Sequence, residues 1–100
     1  MYAIVNHLQI RPDADWSELA GKFDAFNKAI DHPDFGGGCL IRTDDRQGII
    51  LVLYKTREAL EEISKNAAAP WFAEHIRPFM AGPVSRSIGE IVGGALTASA

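Results

Sequence analysis

Apolar and polar positions alternate from the N-terminus. Tyr2, Ile4, Asn6, Leu8 and Ile10 fall on one side of a two-residue repeat, and Ala3, Val5, His7 and Gln9 on the other. Such a repeat sends successive side chains to opposite faces of a strand. Arg11-Pro12-Asp13-Ala14 ends it, and the period then changes: Trp16, Leu19, Ala20, Phe23, Phe26 and Ile30 recur at helical spacing. Asp15 stands three residues before Glu18, an aspartate form of the capping box that marks a helix start. The helix is expected to stop near Asp31-His32, because Pro33 disfavours helical backbone in the residue before it.

The second half of the chain continues in short segments. Phe35 to Thr43 reads as a second strand, loosened at its start by Gly36-Gly37-Gly38. Asp44-Asp45-Arg46-Gln47-Gly48 reads as a hairpin turn and Ile49 to Tyr54 as the third strand. Thr56 is placed to cap a second helix, with Glu58 in its first turn near the positive end of the helix dipole and Leu60 and Ile63 on its apolar face. Ala67-Ala68-Ala69-Pro70 is expected to interrupt this helix. Pro70 then suits the first turn of a new helical piece, Trp71 to about Arg77, which Pro78 bends or ends. Gly82-Pro83 leads into a last strand, Val84 to Val92, with Gly89 as the place for a bulge.

The order strand, helix, strand, strand, helix, strand is the ferredoxin-like α+β arrangement, with a four-stranded antiparallel sheet. Right-handed crossovers put the first and third strands in the centre. Their composition agrees, since the third strand is apolar on both faces and the first is so over Tyr2 to Val5, whereas the second and fourth carry Gly, Arg and Ser. Two helices cover only one face of such a sheet. Either Ile49, Leu51 and Leu53 or Ile50, Val52 and Tyr54 would then be wet, an uncommon exposure for a monomer. Covering three large aliphatic side chains is worth several kcal/mol at about 25 cal/mol per Å². A second copy of the chain is therefore expected on the open sheet face, giving a homodimer of two sheets. The alternative cover is the C-terminal tail or a loop.

Length and charge narrow the class. One hundred residues make one domain, assigned to 1–93, with 94–100 a small-residue tail expected to fray. The net charge is -3 and no basic patch is visible, which argues against nucleic acid and anionic membrane as partners. The single cysteine, Cys39, excludes an internal disulfide and a cysteine metal cluster; it is expected as a small buried hydrophobe and fits a cytoplasmic setting. The longest apolar run, Ile49 to Tyr54, is far short of the ~20 residues that span a bilayer. Met1-Tyr2-Ala3-Ile4-Val5-Asn6-His7 lacks the basic start and long apolar stretch of a signal peptide.

Three residues stand out as candidate chemistry. Asn6 is an amide in an apolar row, which needs hydrogen-bond partners inside the fold or faces a ligand. His75 lies four residues after Trp71, three after Phe72 and four before Phe79, beside an apolar stripe; it reads either as a partly buried histidine bonded to backbone or as a neutral imidazole facing a cavity. Tyr54 closes the third strand, as rim packing or as a hydroxyl at a pocket. His7 belongs to the face opposite Asn6, at the expected dimer interface, and His32 to a surface loop; the three histidines lack zinc-type spacing, so no metal is expected. Gly36-Gly37-Gly38 is followed by a strand without Gly-Lys-Ser/Thr, which excludes a phosphate loop, and no Gly-x-Ser-x-Gly elbow supports a serine hydrolase. Asp44-Asp45 has no carboxylate partner and reads as a solvated turn.

With its elements in this order the sequence resembles the dimeric α+β barrel superfamily, and within it the antibiotic biosynthesis monooxygenase family, which includes small haem-degrading oxygenases. The residues that carry the resemblance are His32-Pro33-Asp34-Phe35-Gly36-Gly37-Gly38-Cys39-Leu40-Ile41-Arg42, similar to the family's Pro-Gly-Phe turn and following strand, and Tyr54-Lys55-Thr56-Arg57-Glu58-Ala59-Leu60, similar to its strand-end aromatic and helix start. Asp34 stands where the family has Gly. Haem-degrading members use an Asn on the first strand, a Trp at the end of the third and a His on the later helix; the matching positions here hold Asn6, Tyr54 and His75, so two of the three agree.

The resemblance implies a pocket between helices and sheet lined by Ile4, Asn6, Leu8, Val52, Tyr54, Trp71, Phe72 and His75. It implies a cofactor-independent monooxygenase that oxidises an aromatic or polyketide-like molecule with O2, with His75 as base, Asn6 holding the anionic or peroxy oxygen and Tyr54 as an orienting hydroxyl. One alternative is a haem-binding oxygenase with His75 Nε2 on iron. Another is a non-catalytic dimeric barrel that binds a hydrophobic ligand.

Overall fold

The computed structural model describes residues 1–94. The chain runs through β1 (Tyr2–Gln9), α1 (Trp16–Ala29), β2 (Phe35–Asp44), β3 (Gln47–Tyr54), α2 (Arg57–Ile63), α3 (Ala69–His75) and β4 (Ser85–Glu90). The strands form one antiparallel sheet in the order β2-β3-β1-β4, so the two greasiest strands are the central ones. β1 pairs with β3 from Tyr2↔Tyr54 to Gln9↔Gln47, and with β4 from Tyr2↔Glu90 to His7↔Ser85. This is the ferredoxin-like α+β fold.

The helix starts agree with the sequence pattern. The Asp15 side chain accepts from the Ser17 N–H at 2.8 Å, and Thr56 Oγ1 accepts from the Ala59 N–H at 3.1 Å. Each satisfies a backbone donor that the first turn leaves unpaired. Both helices bury one face on the sheet. Leu19, Phe23 and Phe26 of α1 and Ala59, Leu60 and Ile63 of α2 pack on Ile4, Leu8, Ile50, Val52 and Tyr54.

The second helix differs from expectation in an informative way. Ala67-Ala68-Ala69-Pro70 does not interrupt it: α2 continues through a π-helical turn, Ser64–Ala68, directly into α3. Ala69 is helical at φ -64, ψ -46, and its N–H donates to Ser64 O, one residue farther back than in an α-helix. Two needs meet here. Pro70 lacks an N–H, and its ring would crowd the carbonyl four residues earlier, which the wider turn relieves. The apolar face also demands it. In a straight helix Phe72, nine residues after Ile63, would point about 180° away from it at about 100° per residue. The extra residue cuts that to about 80°, so Phe72 and Ile63 both reach the core, 7% and 5% exposed.

Other boundaries also shift. α1 ends at Ala29, before the Asp31-His32 limit, with Ile30 already extended at ψ 108. β3 begins at Gln47, so the hairpin turn shrinks to Asp45-Arg46, closed by Arg46 N–H donating to Asp44 Oδ1 at 2.8 Å. β4 is Ser85–Glu90 and its pairing passes Gly89 without a shift; the irregularities lie in β2, between Phe35 and Gly37 and between Arg42 and Asp44. Gly37 takes φ +92 at the first of these, a conformation open chiefly to glycine. The segment 95–100, most of the expected tail, lies outside the described residues.

The face away from the helices carries Val5, Ile49, Leu51 and Leu53, each half-buried, and Ile41, 41% exposed. Cys39, opposite Leu51, is on this face and exposed, which corrects its reading as a buried hydrophobe. His7 is also exposed. His32 is less exterior than expected. Its Nδ1 accepts from the Asp34 N–H at 3.0 Å and its Nε2 lies 3.6 Å from Glu62 Oε2, tying the loop before β2 to α2.

Candidate functional site

The register that centres β1 and β3 brings Ile4, Asn6, Ile50, Val52 and Tyr54 to the helix-facing side of the sheet. Over them lie Phe23 and Phe26 of α1, Ser64 and Ala68 of the π-helical turn, and Ala69, Trp71 and Phe72 of α3. Between the layers is a cavity of ≈ 30 Å³. Asn6, Tyr54, Ile4, Val52, Trp71 and Phe72, all expected at a pocket, line it. Arg86 lines it as well, and sequence reasoning did not single it out.

Arg86 sits on β4 directly across from Asn6, and its Nε donates to Asn6 Oδ1 at 2.9 Å. Asn6 is 5% exposed, so this bond answers the sequence-level question of where a buried amide finds a partner. Because guanidinium only donates, it fixes the amide orientation: Oδ1 faces Arg86 and Nδ2 remains a donor. No ion pair among the described residues uses Arg86. The signal for it lay in the alternation of β4, which puts Arg86, Ile88 and Glu90 on the same side as Asn6. A lone arginine in an edge strand carries no pattern that singles it out.

Tyr54 is fully buried, and its hydroxyl has no protein hydrogen-bond partner. Burial disfavours the phenolate and pushes its pKa up to about 12, with the nearby Arg86 charge pulling the other way. The hydroxyl therefore stays protonated at neutral pH and is able to donate to a ligand.

Two expected lining residues are elsewhere. Leu8 is buried in the core but does not border the cavity. His75 borders a separate open cleft of ≈ 450 Å³ between α1 and α3, with Lys22, Phe26, Ile30, Ala67 and Trp71. Its ring lies 5.8 Å from that of Trp71 and its Nε2 3.8 Å from Glu74 Oε2. The cause is the π-helical turn, whose added residue sets the phase of every later helical position. Phe72 and Ile76 take the core positions and His75 turns outward.

These positions do not fit a haem. Trp71 and Phe26 stand between the cavity that holds Asn6 and Tyr54 and the cleft that holds His75, so the imidazole does not face the space where the amide and the phenol are. Among the described residues no three His, Cys, Asp or Glu side chains gather as a metal site, and no helix is long and apolar enough to cross a membrane.

No protein-family model and no curated protein matches the sequence. Solved structures do match. A candidate antibiotic biosynthesis monooxygenase from Caulobacter crescentus CB15 superposes with a TM-score of 0.75 at 21% identity, over 92% of this chain and 90% of the other. SnoaB, a cofactor-independent oxygenase from Streptomyces nogalater, gives 0.70 at 14%, over 93% and 94%. An arginine-to-serine variant of MhuD, with two manganese protoporphyrin IX bound per active site, gives 0.70 at 18%, over 97% and 100%. At such identities the comparison establishes architecture, and the chain has the fold of the antibiotic biosynthesis monooxygenase-like proteins.

Proposed function

We propose that this protein is a cofactor-independent monooxygenase that oxidises an aromatic small molecule with O2 in the pocket between helices and sheet, where the cavity opens beside the exposed Arg86. The observation that carries the reading is the Tyr54 hydroxyl, buried without a protein partner on the wall that also holds Asn6 and Arg86. Native proteins rarely leave a buried hydroxyl idle unless it meets a ligand or water. SnoaB, similar in fold, is a cofactor-independent oxygenase, which supports the same chemistry here.

The reaction balances without a cofactor. An electron-rich substrate of the anthrone type loses a proton from its CH₂ group to become an anion. The anion reduces O2 and forms a carbon–oxygen bond. The peroxide then loses water to leave a carbonyl, so one oxygen atom stays in the product and the other departs with the two substrate hydrogens. Asn6 Nδ2, the Tyr54 hydroxyl and the Arg86 guanidinium all donate hydrogen bonds, and their role is to stabilise the anion as it develops. His75 stands outside the cavity and is not assigned the base. The proton leaves to water where the exposed Arg86 borders the cavity.

Oxygen uptake with an anthrone tests the reading. Turnover that falls at least about tenfold in Asn6→Ala and in Tyr54→Phe is expected. Turnover unchanged in both sinks the assignment. Titration with hemin is expected to give no His75-dependent Soret shift. A shift lost in His75→Ala would favour the haem alternative.

A second reading, a non-catalytic barrel that binds a hydrophobic ligand, is favoured by the absence of a histidine or carboxylate from the cavity lining. No oxygen uptake with retained binding of aromatic molecules would select it. In either case we propose a homodimer through the open sheet face, supported by the aliphatic patch of Val5, Ile49, Leu51 and Leu53.

A further inference from the structure

The polar groups of the cavity share one property that narrows the substrate. Asn6 turns its acceptor, Oδ1, toward Arg86 Nε. The polar groups left on the wall are the Asn6 amide N–H₂, the two terminal nitrogens of Arg86 and the hydroxyls of Tyr54 and Ser64, of which only the hydroxyls can also accept. The titratable groups on the wall are Tyr54 and Arg86, and no described carboxylate neutralises the guanidinium. A site in which donors predominate beside an uncompensated cation is complementary to an anion that carries only acceptors.

Geometry favours a carboxylate over other anions. With Nε engaged by Asn6, the two terminal nitrogens are what the guanidinium has left for a ligand, and together they are the fork that matches two carboxylate oxygens. The fork also lies at the edge of the site. Arg86 is exposed while bordering the cavity, and Ile88, on the same side of β4, is 58% exposed. A ligand can therefore set its acid group between Arg86 and the Tyr54 hydroxyl and leave its apolar body outward along Ile88.

We propose that Arg86, positioned by Asn6 and aided by the Tyr54 hydroxyl, is a specificity residue that selects aromatic substrates bearing a carboxylate. The proposal rests on the monooxygenase reading for the identity of the bound molecule as substrate, but its test is a binding experiment that does not require turnover.

The test compares 1-hydroxy-2-naphthoate with its methyl ester by calorimetry at neutral pH, using the full-length protein. The acid is expected to bind about tenfold more tightly than the ester, the scale of a charge-assisted contact. Arg86→Gln is expected to remove that preference and Arg86→Lys to keep part of it. Tyr54→Phe is expected to weaken the acid severalfold and leave the ester nearly unchanged. Circular dichroism melts confirm that each variant is folded; should Arg86→Gln unfold, the Lys variant and the acid-to-ester ratio of the unmodified protein decide. Equal affinity for acid and ester, a preference that survives Arg86→Gln, or no binding of either at millimolar concentration overturns the proposal. Arg86-dependent binding of the acid together with no oxygen uptake on any anthrone carboxylate would instead strike the monooxygenase reading and leave the carboxylate site standing.

Discussion

The Trp71 and Phe26 rings lie 4.6 Å apart, centroid to centroid, and each borders both the Asn6–Tyr54 cavity and the His75 cleft. The pair is the partition between the space that holds the donors and the one that holds the imidazole. Removing Trp71 joins the two. Trp71→Ala is expected to cost about 3 kcal/mol in urea denaturation, from lost burial and the void left behind. It should also raise affinity for an environment-sensitive aromatic dye, because the ≈ 30 Å³ cavity opens into the ≈ 450 Å³ cleft. Loss of stability with no gain in dye binding would mean that the wall collapses instead.

Tyr54 gives the molecule a pH dependence that can be read directly. Its pKa is raised from 10.0 to about 12 by burial, so above pH 10 the unfolded chain loses this proton before the folded one does. Below pH 10 the group contributes no pH dependence. Stability falls as pH climbs from about 10 to about 12, and the slope flattens beyond. Tyr54→Phe should remove this part of the alkaline loss. At neutral pH the variant should be as stable as the parent or more so by up to about 1 kcal/mol, since no protein hydrogen bond goes with the hydroxyl. A stable Tyr54→Phe variant with poor ligand binding separates a binding role from a packing role.

Much of the fold was legible because the period of the hydrophobic pattern is a backbone property. The alternation in Tyr2–Gln9 and the helical spacing from Trp16 to Phe26 each have one geometric solution, and the doubly apolar Ile49–Tyr54 could only be central. The second helix was misread because Ala67-Ala68-Ala69-Pro70 suggests a break and Pro70 suits the start of a new helix, whereas the inserted residue that carries the helix past the proline shows only in the phase of Leu60 and Ile63 against Phe72 and Ile76. The same ambiguity hid the orientation of His75. Asn6 and Tyr54 were legible as odd residues in apolar strands. Arg86 was not, because its meaning comes from standing across from Asn6, 80 residues away in sequence.

The uncovered sheet face predicts an assembly that one substitution should undo. Leu51 lies at its centre, between Val5 on β1 and Cys39 on β2. Sedimentation at micromolar concentration is expected to show a dimer, and Leu51→Glu a folded monomer, because a buried carboxylate without a partner is costly in the interface and harmless on a solvated face. A parent chain that sediments as a monomer would show that a single chain tolerates this patch in water.

The π-helical turn makes a prediction that ordinary helix propensity does not. If Ser64–Ala68 carries one inserted residue, removing a residue restores the α-helix without rotating α3 about the helix axis. Deleting Ala67 together with Pro70→Ala should therefore leave Ile63, Phe72 and Ile76 on the core face, with stability within about 1 kcal/mol of the parent, since the proline that a regular helix rejects is gone as well. The point insertion of a second alanine after Ala67 should be far worse, because it turns Phe72 and Ile76 by a further ~100° away from the sheet. The deletion also changes the wall that Ser64, Ala68 and Ala69 give to the cavity. A deleted chain that folds well and binds the naphthoate poorly would show that the turn serves the site. One that folds and binds as before would show that it serves only to pass a proline through the helix.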